Sequence, residues 1–494
     1  MKALRLAALA VLVAAGLASG AALAARSDIT IGMVLEPTGL DPTSGNAAAT
    51  DEVTYANIFE GLTRIDENGA VQPDLARSWD ISDDGLTYTF HLRDGVKFHD
   101  GTPLTADIVK FSLDRTTAPD STNGQKQLFA AIDKVAAVDP LTVKVTLKHP
   151  EGSFLYNLGW GDTEIVAPAS AATNATHPVG TGPFKFVDWV KGDRVDLAKN
   201  PDYWGTPAKL DKATFKFISD PTAAFAALMA GDVDAFPNFP APETLAQFES
   251  DPRFSVVVGT TEGETIMAMN NGRKPFSDLK VRQALSYAVD RKAIIDGAMF
   301  GYGTPIGSHY SPADPGYVDL TGLYAHNPEK AKELLKEAGY PNGFKATLKL
   351  PPPSYARRGG EIIAQQLKAV GVDVQIIPVE WAQWLSDVFK NKDYDLTIVS
   401  HTEPADYGIY ARDAYYFDYH SDAIKALMEK LNLATEAETR NALIGDIQKK
   451  IAADAVNVFL FELAKTGVWD AKIKGLWANS PIQANDLTKV YWEN

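Results

Sequence analysis

An α/β fold built on a mostly parallel sheet is predicted by the last third of the chain, on three observations. Strand-like and helix-like segments alternate there: 345–350 reads as a strand, 361–370 as a helix, 372–378 as a strand, 381–390 as a helix and 394–400 as a strand. Just upstream, Asn327, Pro328 and Gly339 supply the cap, first-position proline and terminal glycine of one more helix. The 494 residues, 45% of them hydrophobic, suffice for a large core divided over two or three domains.

The remaining elements follow in order. Lys2 and Arg5 precede an apolar run at 6–17 too short to span a bilayer, and Ala22-Leu23-Ala24 is an A-x-A cleavage site, so residues 1–24 are expected to be a signal peptide. A strand is expected at 29–35, then a Pro/Gly-rich loop and a helix from about Asp51. The segment Thr87-Tyr88-Thr89-Phe90-His91-Leu92 alternates with period 2, as a half-buried strand does. Asp94-Gly95 and Asp100-Gly101 are turn dipeptides, and Thr105 can cap a helix that begins at Ala106. Strands are expected at 143–147, 184–189 and 194–198, with a loop at 167–176. Asp220, Pro221 and Gly231 bracket a helix, the chain crosses between domains around 262–270, and Ser277 is the expected cap of a helix carrying Val281, Ala284, Leu285 and Ala288 on one face.

Composition excludes several classes of function. A formal charge of −16 argues against nucleic acid and anionic membrane as partners. With no cysteine there is no disulfide, thiolate metal site, cysteine nucleophile or lipid attachment through an N-terminal cysteine. No H-E-x-x-H, G-x-S-x-G, P-loop or dinucleotide glycine fingerprint occurs, so the chain is not expected to be an enzyme and no cofactor is expected. A secreted hydrolase using a carboxylate pair stays open as a reading of a different class, because such carboxylates converge only in space.

Residues 73–115, PDLARSWDISDDGLTYTFHLRDGVKFHDGTPLTADIVKFSLDR, resemble the signature region of the family 5 extracellular solute-binding proteins, the dipeptide-, oligopeptide- and nickel-binding receptors of bacterial ABC importers. Shorter strings resemble the same family: Glu36-Pro37-Thr38-Gly39-Leu40-Asp41-Pro42, Gly180-Thr181-Gly182-Pro183-Phe184, Asn200-Pro201-Asp202-Tyr203-Trp204-Gly205, and the stretch from Lys280-Val281-Arg282 to Val289-Asp290-Arg291. The resemblance covers roughly residues 28–475. It implies a class II periplasmic-binding-protein fold: two lobes with mixed sheets, an extra α+β domain, and the ligand in the cleft between the lobes. The expected division places 28–58, 181–276 and 468–494 in lobe I, 59–180 in the extra domain and 277–467 in lobe II. It further implies a monomeric, unanchored periplasmic receptor that captures a dipeptide or short peptide and delivers it to a membrane-embedded permease. Another amino-acid-derived zwitterion such as an opine, or a metal chelate, is the alternative cargo.

Ligands of open α/β sheets sit outside the carboxyl ends of the strands. Three segments leave those ends: Pro351-Pro352-Pro353-Ser354-Tyr355-Ala356-Arg357-Arg358, Glu380-Trp381-Ala382-Gln383-Trp384, and His401-Thr402-Glu403-Pro404-Ala405-Asp406-Tyr407. A guanidinium fork suits a carboxylate, an acid suits an ammonium, and indoles supply apolar walls. The candidate ligand-binding residues are therefore Arg357, Arg358, Trp381, His401, Glu403, Asp406 and Tyr407, with Glu36 from the first loop. The resemblance gives an arginine of Ala356-Arg357-Arg358 the ligand's carboxylate and an aspartate of the later loop its amino group. In that loop Ser400-His401 stands where the family has Gly-Trp, and Asp406-Tyr407 falls two positions late. Arg357 and Arg358 also read as solvated charges, Asp406 as a turn initiator and Trp384 as core; a metal on His401 and Glu403 is the weaker reading, and no metal site is expected. The leader generates a first test: N-terminal sequencing of protein from the native host should begin near Ala25 with no lipid, and an intact Met1 would refute it.

Overall fold

The computed structural model describes residues 26–493, apart from residues 46, 313, 315, 403–405 and 435. The expected signal peptide lies outside the described residues. The first lobe is a seven-stranded mixed sheet. Asp28–Met33 runs inside it, parallel to Lys212–Phe217 on one side and to Ala235–Phe236 on the other, with Ile29, Ile31 and Met33 buried. The helix Pro221–Ala230 starts where Asp220 accepts a hydrogen bond from the Ala223 N–H at 2.8 Å and stops at Gly231, whose φ of +78° is left-handed.

The second lobe holds a six-stranded sheet. Phe344–Leu350 lies between Val372–Pro378 and Leu396–His401 and is parallel to both, as the alternation predicts. Parallel order ends there: Glu264–Met269 runs antiparallel to Leu396–His401 and to Asn457–Glu462. Glu264–Met269 enters from the other lobe rather than through a helical crossover, so nothing forces it parallel to its neighbours, and Asn457–Glu462, which follows the helix Ala437–Ala453, leads back to that lobe. All six residues of each are buried, because the centre of the sheet is covered on both faces. Asp278 rather than Ser277 caps the helix Leu279–Ala288, accepting from the Lys280 N–H at 2.8 Å. The helix after Leu350 begins at Ser354, well before the expected start at 361, and runs to Ala369. Its Gly359-Gly360 pair marks close packing, not a break: a Cβ on Gly360 would sit 2.5 Å from Leu350 Cδ1.

The third unit is a four-stranded antiparallel sheet covered by the helix Ala106–Thr117. Thr87–Leu92 alternates between half-buried and buried as its period predicts, and Thr105 Oγ1 caps the helix by accepting from the Ile108 N–H at 3.4 Å. This unit is tied to the first lobe around Glu60, whose buried carboxyl accepts from Thr181 Oγ1 at 2.7 Å, Tyr203 Oη at 2.6 Å and Trp204 Nε1 at 2.8 Å. Gly180 and Gly182 let the returning chain press on the Ile58 and Asn57 carbonyls, where a Cβ would come within 1.9 and 2.4 Å.

The lobes are joined by one antiparallel ribbon. Phe254–Gly259 pairs with Lys465–Asp470 in the first sheet, and Glu264–Met269 pairs with Asn457–Glu462 in the second. The chain crosses at residues 260–263, at the start of the expected stretch, and returns at 463–464. No helix among the described residues is long and apolar enough to cross a membrane.

Candidate functional site

The three segments leaving the parallel strands converge, as strand direction requires, on a cavity of about 250 Å³ between the lobes. Pro353 to Tyr355, Trp381, Trp384 and Ser400 to Thr402 form its second-lobe wall. Gly32 to Leu35 and Pro237 to Pro240 face them from the first lobe, and Gln125 and Gln483 close the side. The indoles of Trp381 and Trp384 stack with their planes 2° apart and centroids 5.0 Å apart. Trp384 is core, its Nε1–H donating to Thr397 Oγ1 at 2.9 Å. Trp381 reaches the cavity, and its buried Nε1–H has no partner.

Of the candidate residues, Trp381 and His401 line the cavity, whereas Arg357, Arg358, Asp406, Tyr407 and Glu36 do not. Glu403 lies outside the described residues. The early helix start carries Arg357 and Arg358 out of the loop and into the first turns of Ser354–Ala369. Arg357 donates to the Val379 carbonyl at 3.4 Å and lies 3.6 Å from Glu380. Arg358 grips Glu243 of the first lobe with both Nη atoms, so it spans the lobes. Asp406 is buried between two imidazoles: its Oδ2 is hydrogen-bonded to His401 Nδ1 at 3.1 Å, and His309 Nε2 lies 2.5 Å from its Oδ1. His401 Nε2 reaches Tyr416 Oη at 2.9 Å. Tyr407 packs in the aromatic core against Tyr310, and Glu36 accepts from Trp189 Nε1 at 3.1 Å and the Gly192 N–H at 2.9 Å.

The cavity contains polar groups that sequence reasoning did not single out. Besides Trp381 Nε1, Ser400 Oγ and Glu262 Oε2 are buried in its wall without a partner. Buried polar atoms are nearly always satisfied, so three orphans on one wall mark a place for a polar ligand. Arg412 also lines the cavity; its nearest polar contact is Gln125 Oε1 at 3.4 Å, and among the described residues no carboxylate is within ion-pair distance of it. Burial, and then Asp314, with which Glu262 shares a hydrogen bond, push the Glu262 carboxyl up to about 9. Burial raises Glu52, also in the wall, to about 7 and lowers its electrostatic partner Lys465 to about 8. The position of Glu262 in the crossing between lobes was the one available sequence signal for it; Arg412 gave none.

The sequence pattern of the bacterial extracellular solute-binding proteins, family 5 (middle region) matches residues 70–422. The chain belongs to this family. It is 38% identical over 375 residues to the glutathione-binding protein GsiB of Pectobacterium atrosepticum, covering 74% of this chain and 71% of that protein. Among solved structures it resembles the binding protein AgaA of A. tumefaciens R10 in complex with agropinic acid, at 28% identity and a TM-score of 0.87 over 94% of this chain and 99% of that one. DppA of Helicobacter pylori in complex with the peptide STSA matches at 28% identity and a TM-score of 0.85, over 95% and 99%. The family is one of solute-binding receptors, and the cavity between lobes is where its fold places the ligand.

Two tests follow from this geometry. The Arg358–Glu243 pair bridges the lobes but is partly solvated, at 34% and 25% side-chain exposure, so screening limits it to the range of surface pairs, about 0.2–1 kcal/mol. Arg358→Ala should weaken closure and lower apparent ligand affinity by roughly two- to fivefold in calorimetric titration; loss of binding altogether would give Arg358 a direct contact. The second test is pH. Glu262 at about 9 and Glu60 at about 8 hold protons that the unfolded chain releases near 4.5. Between those values the folded state binds more protons, so their stabilisation is full below about pH 4.5 and is lost as pH rises to about 9. Asp406 acts in the opposite sense, because once desolvated it is held well below the usual carboxylate range by His309 and His401, and its stabilisation fails on acidification below about 3.8. The thermal unfolding midpoint should therefore fall from about pH 5 to about pH 9, and a steady rise over that range would contradict these assignments.

Proposed function

We propose that this chain is the periplasmic receptor of an ABC importer whose cargo is a small zwitterion, with a dipeptide or short peptide first. The observation that carries the reading is the cavity: it lies between lobes joined by a ribbon and, among the described residues, is lined by one arginine without an acid partner, the buried acids Glu52 and Glu262, and orphaned donors. Arg412 is the proposed partner of a ligand carboxylate, Glu262 of a ligand ammonium, and Trp381 of a carbonyl or carboxylate oxygen. Trp381 and His401 remain from the expected set, as an apolar wall and its edge. Arg357, Arg358, Asp406 and Tyr407 support the site from behind.

The volume of about 250 Å³ lies at or below the usual range of ligand pockets, about 300–1,000 Å³, which favours a small cargo over a long peptide. Glutathione, bound by the GsiB relative, and agropinic acid, bound by AgaA, carry the amine- and carboxylate-derived groups of amino acids. An opine is accordingly the second reading. In the proposed cycle the exported, unlipidated, monomeric protein binds cargo with its lobes open. Cargo favours the closed form by its higher affinity for it, and the closed form docks on the permease. The proposed division is 28–58, 181–276 and 468–494 for lobe I, 59–180 for the extra domain and 277–467 for lobe II, moved at the ribbon so that Glu264–Met269 counts with lobe II and Lys465–Asp470 with lobe I.

The test is a thermal-shift and calorimetric panel of dipeptides, glutathione and agropinic acid, followed by chromatography of the recovered ligand. One zwitterion class should bind and be recovered intact. Arg412→Ala and Glu262→Gln should each weaken it by about 10²- to 10³-fold, the effect of leaving a buried charge unpaired. Recovery as cleavage products would instead make the protein a hydrolase, and binding confined to neutral sugar-like solutes would refute the zwitterion reading.

A further inference from the structure

Behind the cavity wall, His309, His401 and Asp406 bring three potential ligand atoms within 4.8 Å of one another. His309 and Asp406 show two features that a plain hydrogen-bonded triad does not explain. His309 Nε2 and Asp406 Oδ1 lie 2.5 Å apart, yet neither atom makes a hydrogen bond. His309 is 1% exposed and Asp406 7%, so these unpartnered atoms are removed from solvent.

The far side of each imidazole is fixed as a metal-binding histidine's usually is. His309 Nδ1 is bonded to Tyr410 Oη at 3.1 Å, which itself accepts from Asn457 Nδ2 at 3.0 Å, and His401 Nε2 is bonded to Tyr416 Oη at 2.9 Å. Strand register supplies a further acid: Glu264 lies directly opposite His401, is 2% exposed and has an unpartnered Oε2. Glu462 is opposite Glu264 on the next strand, also with an unpartnered oxygen. Among the described residues no lysine or arginine pairs with Asp406, Glu264 or Glu462, so the two imidazoles are the nearby counter-charge.

We propose that His309, His401 and Asp406 form a binding site for one divalent first-row transition-metal ion of the Zn²⁺ type. Two imidazole nitrogens and carboxylate oxygens are a borderline donor set, which selects such ions over Mg²⁺ and Ca²⁺. All three residues belong to the second lobe, so the ion is resident whether the lobes are open or closed and is distinct from the cargo. Its effect on the receptor is to hold the His401 end of the strand and the segment at Asp406 against the aromatic wall, where His401 lies parallel to Tyr416.

The experiment uses the mature full-length chain, stripped with chelator and titrated with Zn²⁺ alone by calorimetry, and with Co²⁺ alone by absorption spectroscopy. One equivalent should bind in each case, and the Co²⁺ form should show the intense visible bands of four- or five-coordinate nitrogen/oxygen ligation. His309→Ala and His401→Ala should each lower Zn²⁺ affinity by at least about 10²-fold, while His420→Ala, at the exposed cluster with Asp413, leaves it unchanged. The Co²⁺ spectrum of the unaltered protein reads the site even if a variant fails to fold. No stoichiometric binding to the stripped protein, a weak six-coordinate Co²⁺ spectrum, or binding that survives both histidine substitutions would overturn the assignment.

Discussion

The two lobes depend on one continuous antiparallel ribbon, and its unpaired middle is the only covalent route between the sheets. At 260–263 four residues face only two, 463 and 464, so the ladder breaks there while both ends stay locked in register. The Leu463 N–H still donates to the Gly263 carbonyl at 2.7 Å, and the Gly263 N–H donates to Thr261 Oγ1 at 2.9 Å. Gly263 has to be small: a Cβ there would sit 2.8 Å from Thr261 Oγ1 and 3.0 Å from both Leu463 Cβ and Ser400 Oγ. A joint of this kind permits bending and resists sliding, since sliding would turn every buried side chain of the two central strands to the wrong face. It also places Thr261, Glu262, Leu463 and Ala464 in the cavity wall, so the joint and the ligand site share residues.

Beyond the joint, Tyr302 of the second lobe packs against the first-lobe apolar cluster that includes Phe236 and Phe239, and a set of polar contacts accompanies it. Arg358 meets Glu243, Ser354 Oγ donates to the Pro240 carbonyl at 3.2 Å, and Gln483 Nε2 donates to the Thr402 carbonyl. Arg412, reaching Gln125 at 3.4 Å, makes the corresponding contact with the extra domain. Partly solvated pairs of this kind contribute about 1 kcal/mol or less each, too little to hold two lobes shut against the freedom of opening. Apolar surface inside the cavity, chiefly the half-buried Trp381 and Tyr355, stays partly exposed until something occupies it. Closure is thus governed by the occupant, as a receptor that reports its loading requires.

Much of this was legible in the sequence because it is local. Thr105, Asp220 and Asn327 cap their helices as their positions predict, and the period of Thr87–Leu92 is the period of its burial. Strand direction placed the three segments after Leu350, Pro378 and His401 on one edge, and all three meet the cavity. The expected helix start at 361 does not hold: Gly359 and Gly360 lie inside the helix and serve contact with Ile294 and Leu350. That shift of about two turns removed Arg357 and Arg358 from the cavity edge. Arg412 and Glu262 had no local signature, because only the folding of distant segments makes them neighbours of one space. His309 is the same case: it lies outside the regular elements, and nothing near it in sequence points to Asp406.

His309 also decides which of the buried acids in the second lobe is ionised. Asp406, Glu264, Glu462 and Glu262 all lie near the same end of one sheet, where burial alone would protonate every one of them. Asp406 escapes because two imidazoles face it, and the second is supplied by the segment that crosses over the sheet at residues 306–310. Glu264, one strand away from His401, has no such partner and is pushed up by burial and by the charge on Asp406 itself. Burial first, and the charge on Asp406 in addition, raises Glu264 and Glu262, so in the proposed pairing Glu262 gives up its proton when a ligand ammonium meets it. The charge offered to the cavity is set by this arrangement behind its wall as much as by the residues that line it.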